Sequence, residues 1–384
     1  MDRRSFLAGS GLAIAGTALP AASSTPAIAA APATPQARID FVSDGLGLDP
    51  GEYAAQLQER VAGDGFVPDY YSRGGVVARL EQLFARLLGK PAAMFVATGT
   101  LANLLAVRRL AGNDRRVLVQ AESHLYNDSG DGAQLLAGLN LLPLAPGAAT
   151  PRLAEVQEAL ARSRSGRVRN EVGVISIETP VRRLDHAMAD FAELQRISQL
   201  ARAEGIRLHL DGARLFSLPL HSGRAVQEYT ALFDSVYVSL WKHFNGASGA
   251  ILAGGEDFIE GLYHDRRMHG GALPAAWPQV ARAERYAESF QDDYARAWQV
   301  ADALLGHLRS DRRFGARKLA DGSSRFFLSV DGADPAGFAE RLRARGIRVP
   351  SPRPDGALPL QVNPTLLRAD PAALARRFVE ALDG

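Results

Sequence analysis

The chain has 384 residues, 47% hydrophobic and 22% charged, which is typical of a globular protein with a sizeable core and excludes a disordered or fibrous chain. Its 44 basic and 42 acidic side chains give a formal net charge of +2 and alternate along the sequence, so no basic cluster indicates a nucleic-acid partner. Because there is no cysteine, disulfides, thiolate metal sites and cysteine nucleophiles are excluded.

The first predicted segment, residues 1–31, is a signal peptide. Arg3 and Arg4 precede a weakly apolar stretch from Ala8 to Leu19 and then small residues, which is the order of an export signal. The run R-R-x-F-L resembles the twin-arginine consensus, whose export machinery carries folded proteins, so we expect a periplasmic protein. A plain apolar tail and an uncleaved anchor are the alternatives, although the stretch is shorter than the roughly 20 residues of a spanning helix. Residues 32–64 are interpreted as a linker and N-terminal segment.

Residues 65–275 are predicted to form a large α/β domain. Short apolar runs alternate there with helical patterns, which is typical of β-α-β units that build a mostly parallel sheet. The predicted strands are Ala92–Val96, Val117–Gln120, Leu139–Leu144, Val172–Ile177, Ile206–Leu210, Ser235–Val238 and Gly249–Ala253. The predicted helices include Leu101–Leu110, Pro151–Ala161, which starts at a Thr-Pro cap signal, and Met188–Ala203.

Residues 276–384 are predicted to form a smaller C-terminal α+β domain, because the pattern changes after Pro278. A long helix is expected from there to Leu308. The elements expected after it are a strand at Arg325–Val330, a helix after Pro335, a strand at Leu358–Val362 and a terminal helix.

Five polar side chains follow predicted strands by only a few residues. They are Thr98, His124, Glu178, Asp211 and Lys242. In open parallel sheets, ligands bind beyond the carboxyl ends of the strands. Any one of these residues could be a loop residue without a chemical role, but five in series indicate a functional site.

One motif in this series is similar to that of a known family. Asp211-Gly212-Ala213-Arg214 follows the strand that ends in His209-Leu210, and Lys242 comes 31 residues after Asp211. This spacing resembles that of fold-type I pyridoxal-phosphate (PLP) enzymes, and H-L-D-G-A-R-L-F is most similar to the threonine aldolase and β-eliminating lyase family. The runs M-F-V-A-T-G-T-L-A-N-L and R-R-M-H-G-G strengthen the likeness, which extends from Phe41 to the terminal helix. It implies an α/β, transferase-like fold with a large, mostly parallel domain and a smaller C-terminal domain.

The resemblance gives Lys242 and Asp211 the central roles. A partly neutral lysine amine can condense with the cofactor aldehyde, and this is the role implied for Lys242. Asp211 would pair with the pyridine nitrogen and keep it protonated, through a charge-assisted bond worth about 1.5–3 kcal/mol. Without the flanking motif, a lone lysine here would be a solvated surface charge, and the aspartate a helix cap.

Further cofactor and substrate residues follow from the same resemblance. Thr98-Gly99-Thr100 lies between a strand and a helix, where it can receive a phosphate, although T-G-T is also an ordinary helix start. His124 would stack on the cofactor face and could exchange protons with the substrate, and the alternative is an ordinary loop histidine. Arg214 would meet the cofactor phosphate and the substrate carboxylate. Ser43 would reach the substrate carboxylate, and Tyr71 would lie near the site.

Four positions on the substrate side depart from the family pattern. Trp241 stands before the lysine in place of serine, and Ser72-Arg73-Gly74 replaces an acidic pair. Glu178-Thr179-Pro180-Val181 replaces an E-N-T-H type run, and the late arginine that helps to hold the substrate carboxylate is replaced within Leu358-Pro359-Leu360-Gln361. Arg73 or another basic residue is therefore expected to supply the missing charge. Glycine binding to an Arg73→Ala variant would test that expectation.

The resemblance implies a PLP-dependent carbon–carbon lyase that cleaves a β-hydroxy-α-amino acid to glycine and an aldehyde. His124, directly or through water, is the predicted base. A PLP-dependent β-elimination, or another amino-acid transformation, is the first alternative, because the substrate residues differ. A catalytically silent exported binding protein is the second, and the intact Lys242 and Asp211 argue against it. No metal site is predicted, and the family's assembly implies a homodimer or homotetramer.

Overall fold

The computed structural model describes residues 38–384. The predicted signal peptide, residues 1–31, and the start of the predicted linker lie outside this range. The helices are α1 (Pro50–Ala62), α2 (Gly75–Leu87), α3 (Gly99–Ala111), α4 (His124–Asn127), α5 (Gly132–Ala137), α6 (Leu153–Arg164), α7 (Phe191–Ala203), α8 (Leu218–Ser222), α9 (Val226–Thr230), α10 (Glu256–Glu260), α11 (Leu262–Met268), α12 (Trp277–Val280), α13 (Ala283–Leu308), α14 (Pro335–Ala344) and α15 (Pro371–Asp383).

Strands and short turns lie between these helices. The strands are β1 (Ile39–Asp40), β2 (Ala92–Val96), β3 (Arg116–Gln120), β4 (Asn140–Leu144), β5 (Val172–Glu178), β6 (Arg207–Asp211), β7 (Ser235–Ser239), β8 (Ala250–Gly254), β9 (Phe314–Lys318), β10 (Arg325–Val330), β11 (Ile347–Arg348) and β12 (Leu358–Gln361). Single 3₁₀ turns cover Arg182–Leu184, Leu215–Ser217 and Pro364–Arg368.

The central sheet has seven strands in the order β2-β8-β7-β6-β5-β3-β4. The five strands from β7 to β4 are parallel to one another, whereas β8 runs antiparallel to both β2 and β7. Strands β5 and β7 are buried along their whole length, as expected where helices cover both faces of a parallel sheet. The predicted α/β architecture with a mostly parallel sheet is thereby confirmed.

Several predicted helix boundaries differ from the structure for local reasons. The helix expected from Met188 begins at Phe191, because the Asp190 side chain caps it by accepting from Glu193 N at 2.8 Å. The helix expected from Pro151 begins at Leu153, because Glu155 accepts a hydrogen bond from Arg152 N at 2.7 Å and sets the first turn there. Thr150 Oγ1 accepts instead from Asp190 N at 2.9 Å, so the threonine stabilises a different loop. The single long helix expected after Pro278 is divided into α12 and α13.

The C-terminal part of the chain is built around α13. Its buried residues recur every three to four positions and include Phe290, Tyr294 and Trp298, which is the pattern of a helix with one apolar face. An antiparallel sheet in the order β12-β10-β9 lies in this part, and β11 pairs in parallel with β1 from the N-terminal segment. The domain boundary predicted at residue 276 stays a prediction. Among residues 38–384, no helix has the length and apolar character needed to cross a membrane.

Candidate active site

The polar residues predicted to follow strands lie at one edge of the central sheet. Glu178 and Asp211 are the last residues of β5 and β6 and face each other in register. Lys242 lies in the loop after β7, and the charges of Asp211 and Glu178 both act on its amine. Because the carboxyl ends of parallel strands meet at the same edge, residues far apart in sequence form one site here.

Asp211 is held by a buried chain of hydrogen bonds. Asn103 Nδ2 on α3 donates to Asp211 Oδ2 at 2.6 Å, and Ala213 N donates to Oδ1 at 3.1 Å. Asn103 Oδ1 lies 2.9 Å from His209 Nε2, and His209 Nδ1 lies 2.8 Å from Ser235 Oγ. Burial lowers the pKa of His209 to about 4, so the ring is neutral. Since the amide oxygen only accepts, Nε2 carries the proton, and the chain fixes the orientation of the Asp211 carboxylate.

Replacing Asn103 with leucine is expected to lower the free energy of unfolding by about 1–3 kcal/mol, because it leaves Asp211 Oδ2 and His209 Nε2 without partners inside the protein. Urea unfolding of Asn103→Leu would measure the loss. Asn140→Leu, at an exposed position on β4, is the matched control and should change the unfolding midpoint little. Equal midpoints for both variants and the wild type would contradict the role given to Asn103.

Lys242 is buried, with 8% of its surface exposed. Burial and the positive charge of Arg214 lower the pKa of its amine from 10.5 to about 8. Its Nζ lies 5.5 Å from the centre of the Trp241 ring. Trp241, one of the residues that depart from the family pattern, is thus a neighbour of the amine. An amine that is partly neutral near physiological pH can act as a nucleophile.

Arg214 forms a bidentate ion pair with Asp44. Its Nε and Nη2 lie 2.7 and 2.9 Å from the two carboxylate oxygens, and the side chains are only 8% and 9% exposed. Burial opposes ionisation of Asp44, but the adjacent guanidinium outweighs it and holds the pKa of the carboxyl well below its usual range. The sequence prediction for Arg214 did not include this carboxylate partner.

Glu178 connects the end of β5 with the first residue of α4. Its Oε2 accepts from His124 N at 2.6 Å, and its Oε1 accepts from Arg182 N at 2.9 Å. Burial and the negative charge of Asp211 raise the pKa of Glu178 to about 7. His124 Nδ1 is buried without a hydrogen-bond partner among the described residues. The ring therefore keeps a polar atom that a bound molecule could satisfy.

Thr98-Gly99-Thr100 forms the predicted strand-to-helix turn. Thr98 is the N-cap of α3, and its Oγ1 accepts from Leu101 N at 3.2 Å. A Cβ atom at Gly99 would overlap the hydroxyl of Tyr237 on β7, so the position requires glycine. The free N–H groups in the first turn of this 13-residue helix can bind an anion at the sheet edge.

The three remaining predicted residues contact other partners within residues 38–384. Ser43 Oγ donates to Asp40 Oδ2 at 3.0 Å. Tyr71 packs edge-on against Tyr70, with ring centres 4.8 Å apart. Arg73 lies 4.6 Å over the Tyr263 ring and lines a surface depression with Ala92, the first residue of β2, whose other end leads to Thr98. The substrate roles predicted for these residues stay predictions.

Several residues of the site were not predicted from the sequence. Asp44 adjoins Ser43, and a buried arginine requires a carboxylate partner, which was the available signal. Asn103 lies within the quoted run from Met94 to Leu104, but nothing local indicates that it faces Asp211. His186 is fully buried, its Nε2 has no partner among the described residues, and the charges of Arg214 and Lys242 act on it. No sequence signal indicated that position.

Parts of the chain are similar in sequence to known proteins. The chain is 31% identical over 235 residues to a Schizosaccharomyces pombe (strain 972) protein assigned as a low-specificity L-threonine aldolase, with 61% of each chain covered. It is 28% identical over 238 residues to alanine racemase TOXG of Cochliobolus carbonum, with 62% of this chain and 59% of the other covered. The chain thus spans about three fifths of the length of these relatives.

A solved structure and a family model extend the comparison. A Listeria monocytogenes EGD-E protein assigned as an L-allo-threonine aldolase has a TM-score of 0.74 and 26% identity, with 91% of this chain and 96% of that chain covered. The family model for the beta-eliminating lyases matches residues 40–312. This chain belongs to the beta-eliminating lyase family.

Proposed function

We propose that this protein is a PLP-dependent lyase of the threonine aldolase type, which cleaves a β-hydroxy-α-amino acid to glycine and an aldehyde. The observation that carries the proposal is that Asp211 ends β6 and Lys242 follows β7, so both lie at the carboxyl edge of two neighbouring parallel strands. Family membership and the likeness to proteins assigned as threonine aldolases support the same reaction.

The residues at this edge fit PLP. Lys242 offers a buried amine with a lowered pKa, and Asp211 keeps acceptor capacity for a pyridinium N–H beyond the bonds it already accepts. The N-terminus of α3 suits the phosphate, and the unpartnered His124 Nδ1 suits a polar group of the ligand. When bound, PLP supplies an electron sink for the charge that develops at the substrate Cα.

The protein's own side chains would bind the substrate and move its protons. The Lys242 amine, which would hold the cofactor, would also be placed to carry a proton at the substrate Cα. His124 is the proposed base for the β-hydroxyl proton. The hydrogen bond from its backbone N–H to Glu178 Oε2 holds its backbone at the start of α4. Arg214, whose charge acts on Lys242, is the proposed partner of the substrate carboxylate.

The rate at which the cofactor-free protein attaches PLP is expected to rise about tenfold per pH unit up to pH 8 and then level off. Burial and the charge of Arg214 hold the pKa of Lys242 at about 8 instead of 10.5, so the reactive neutral amine increases with pH only until that point. Stopped-flow absorbance over pH 6–10 would measure the midpoint. A rise that continues without levelling off up to pH 10 would mean that Lys242 behaves as an exposed lysine.

Product analysis distinguishes the proposed reaction from its alternatives. PLP-loaded protein incubated with L-threonine is expected to release glycine and acetaldehyde in equal amounts. Pyruvate and ammonia from β-chloroalanine, without cleavage of threonine or other β-hydroxy amino acids, would identify a β-eliminating enzyme instead. Binding of PLP and glycine without turnover of any of these compounds would indicate a silent binding protein.

We also propose that the protein is exported by the twin-arginine route and works in the periplasm as a homodimer or homotetramer. The support for export is Arg3-Arg4 and the stretch that follows, and the support for assembly is the family resemblance. Changing Arg3 and Arg4 to lysine should retain the protein in the cytoplasm, as measured by cell fractionation. Sedimentation equilibrium of the purified protein would give the number of subunits.

A further inference from the structure

A second guanidinium group, that of Arg325, lies beside the Arg214–Asp44 pair. Arg325 on β10 faces Gln361 on β12 in antiparallel register. Arg325 Nε donates to Gln361 Oε1 at 3.1 Å, and Gln361 Nε2 donates to Asp44 Oδ1 at 3.2 Å. Because Asp44 also binds Arg214, a continuous chain of hydrogen bonds connects the two guanidinium groups.

Asp185 holds Arg325 from another side. Its Oδ1 accepts from Arg325 Nη1 at 3.1 Å and also binds Arg353. The backbone of Asp185 is left-handed, with φ 57°, and that of His186 follows with φ 63°. Residues with a Cβ rarely adopt this conformation. Two successive residues of this turn, Asp185 and His186, therefore have a strained backbone, and Asp185 orients Arg325.

The two guanidinium groups retain donors for an anion. The Arg214 side chain is 8% exposed and that of Arg325 is 24% exposed. Within residues 38–384, Arg214 donates through Nε and Nη2, and Arg325 through Nε and Nη1, so one terminal nitrogen of each stays available. Burial and the charge of Arg214 lower the pKa of Arg325, so the second cation lies within the field of the first. An anion bound to both would relieve this repulsion.

We propose that Arg325 acts with Arg214 to bind the α-carboxylate of the amino-acid substrate, and that Arg73 does not. This inference rests on the proposed function, since it names the carboxylate site of that reaction. Arg325 lies on β10, which pairs with β12, and faces Gln361 there. The positive charge that β12 lacks is therefore supplied from the neighbouring strand. Gln361 and Asp185 are positioning residues for Arg325.

Calorimetric titration of glycine and of glycinamide into the PLP-loaded protein tests this inference, because glycinamide has the amino group but no carboxylate. Arg325→Gln is expected to weaken glycine binding about tenfold to hundredfold and to leave glycinamide binding unchanged. Arg325→Lys keeps the charge without the planar fork and should lose less affinity. Arg317→Gln is the matched control, since Arg317 lies on neighbouring β9 over the Phe327 ring, at 4.2 Å.

A swap of the two side chains, Arg325→Gln with Gln361→Arg, should regain most of the glycine affinity, because it returns one guanidinium to the same strand pair. This double variant also tests the inference if Arg325→Gln alone proves unstable in urea. Failure of the swap together with equal losses of glycine and glycinamide binding would overturn the inference. So would weaker glycine binding in Arg73→Ala but not in Arg325→Gln, or weaker PLP binding in Arg325→Gln with glycine affinity intact.

The same titrations separate this inference from the proposed function. Wild-type protein that prefers glycine over glycinamide but cleaves no β-hydroxy amino acid would refute the proposed reaction, and the Arg325 variants would still decide the carboxylate site. Wild-type protein that cleaves threonine but binds glycine and glycinamide equally would refute the inference about Arg325 alone.

Discussion

Replacing Lys242 with alanine is expected to lower the rate of substrate cleavage by at least about 10²–10⁴-fold, the contribution typical of a positioned proton carrier. The same change should abolish the covalent attachment of PLP, because the amine that forms the bond is gone. Borohydride reduction followed by denaturation would measure attachment, since only a cofactor joined to the chain stays with it. The initial rate of threonine cleavage would measure the catalytic loss.

Because the chain has few lysines, the labelled residue can be assigned without ambiguity. The chain has only three lysines, Lys90, Lys242 and Lys318. Lys90 Nζ donates to the carbonyl oxygen of Phe233, and Lys318 pairs with Asp302, so neither lies in the site. Lys90→Ala and Lys318→Ala are matched controls that should keep the reduced label. Retention of the label by Lys242→Ala would refute the assignment of the cofactor lysine.

Replacing Asp44 with alanine is expected to lower the free energy of unfolding by about 3–5 kcal/mol, because it leaves the buried Arg214 guanidinium without its counter-ion. Gln361 would also lose an acceptor. Urea unfolding at pH 7 would measure the loss. Asp64→Ala, at an exposed position, is the control, and an equally small effect of both changes would contradict the importance of the ion pair.

The contribution of Asp44 to the free energy of unfolding should decrease at acid pH. The pKa of its carboxyl is far lower in the folded protein than in the unfolded chain: burial raises it, but the charge of Arg214 lowers it by more. The stabilisation is therefore fully present above the unfolded pKa of about 3.9 and is lost as the pH falls toward the folded value. The difference between wild type and Asp44→Ala should shrink below pH 4. A constant difference from pH 7 to pH 2 would contradict this account.

Much of the central sheet could be predicted because its signals are local. The predicted bounds of Ala92–Val96 agree with β2, and those of Arg325–Val330 agree with β10. Both strands are apolar runs bounded by polar or turn residues, which one sequence displays directly. The break between α12 and α13 and the start of α6 were missed, because contacts made by the surrounding loops decide where these helices begin.

From the sequence alone followed the α/β architecture, the family, and the placing of Asp211 at the end of one strand and Lys242 after the next, because strand periodicity and the D-G-A-R run are short-range patterns. Two contacts appear only in the folded chain: Asp44 pairs with Arg214, 170 positions away, and Asn103 binds Asp211, 108 positions away. The fold also places the Arg325 guanidinium beside Gln361 on the neighbouring strand. Such pairs depend on which strand ends and helix faces pack together, and that packing is set by burial over the whole chain, which no local pattern encodes.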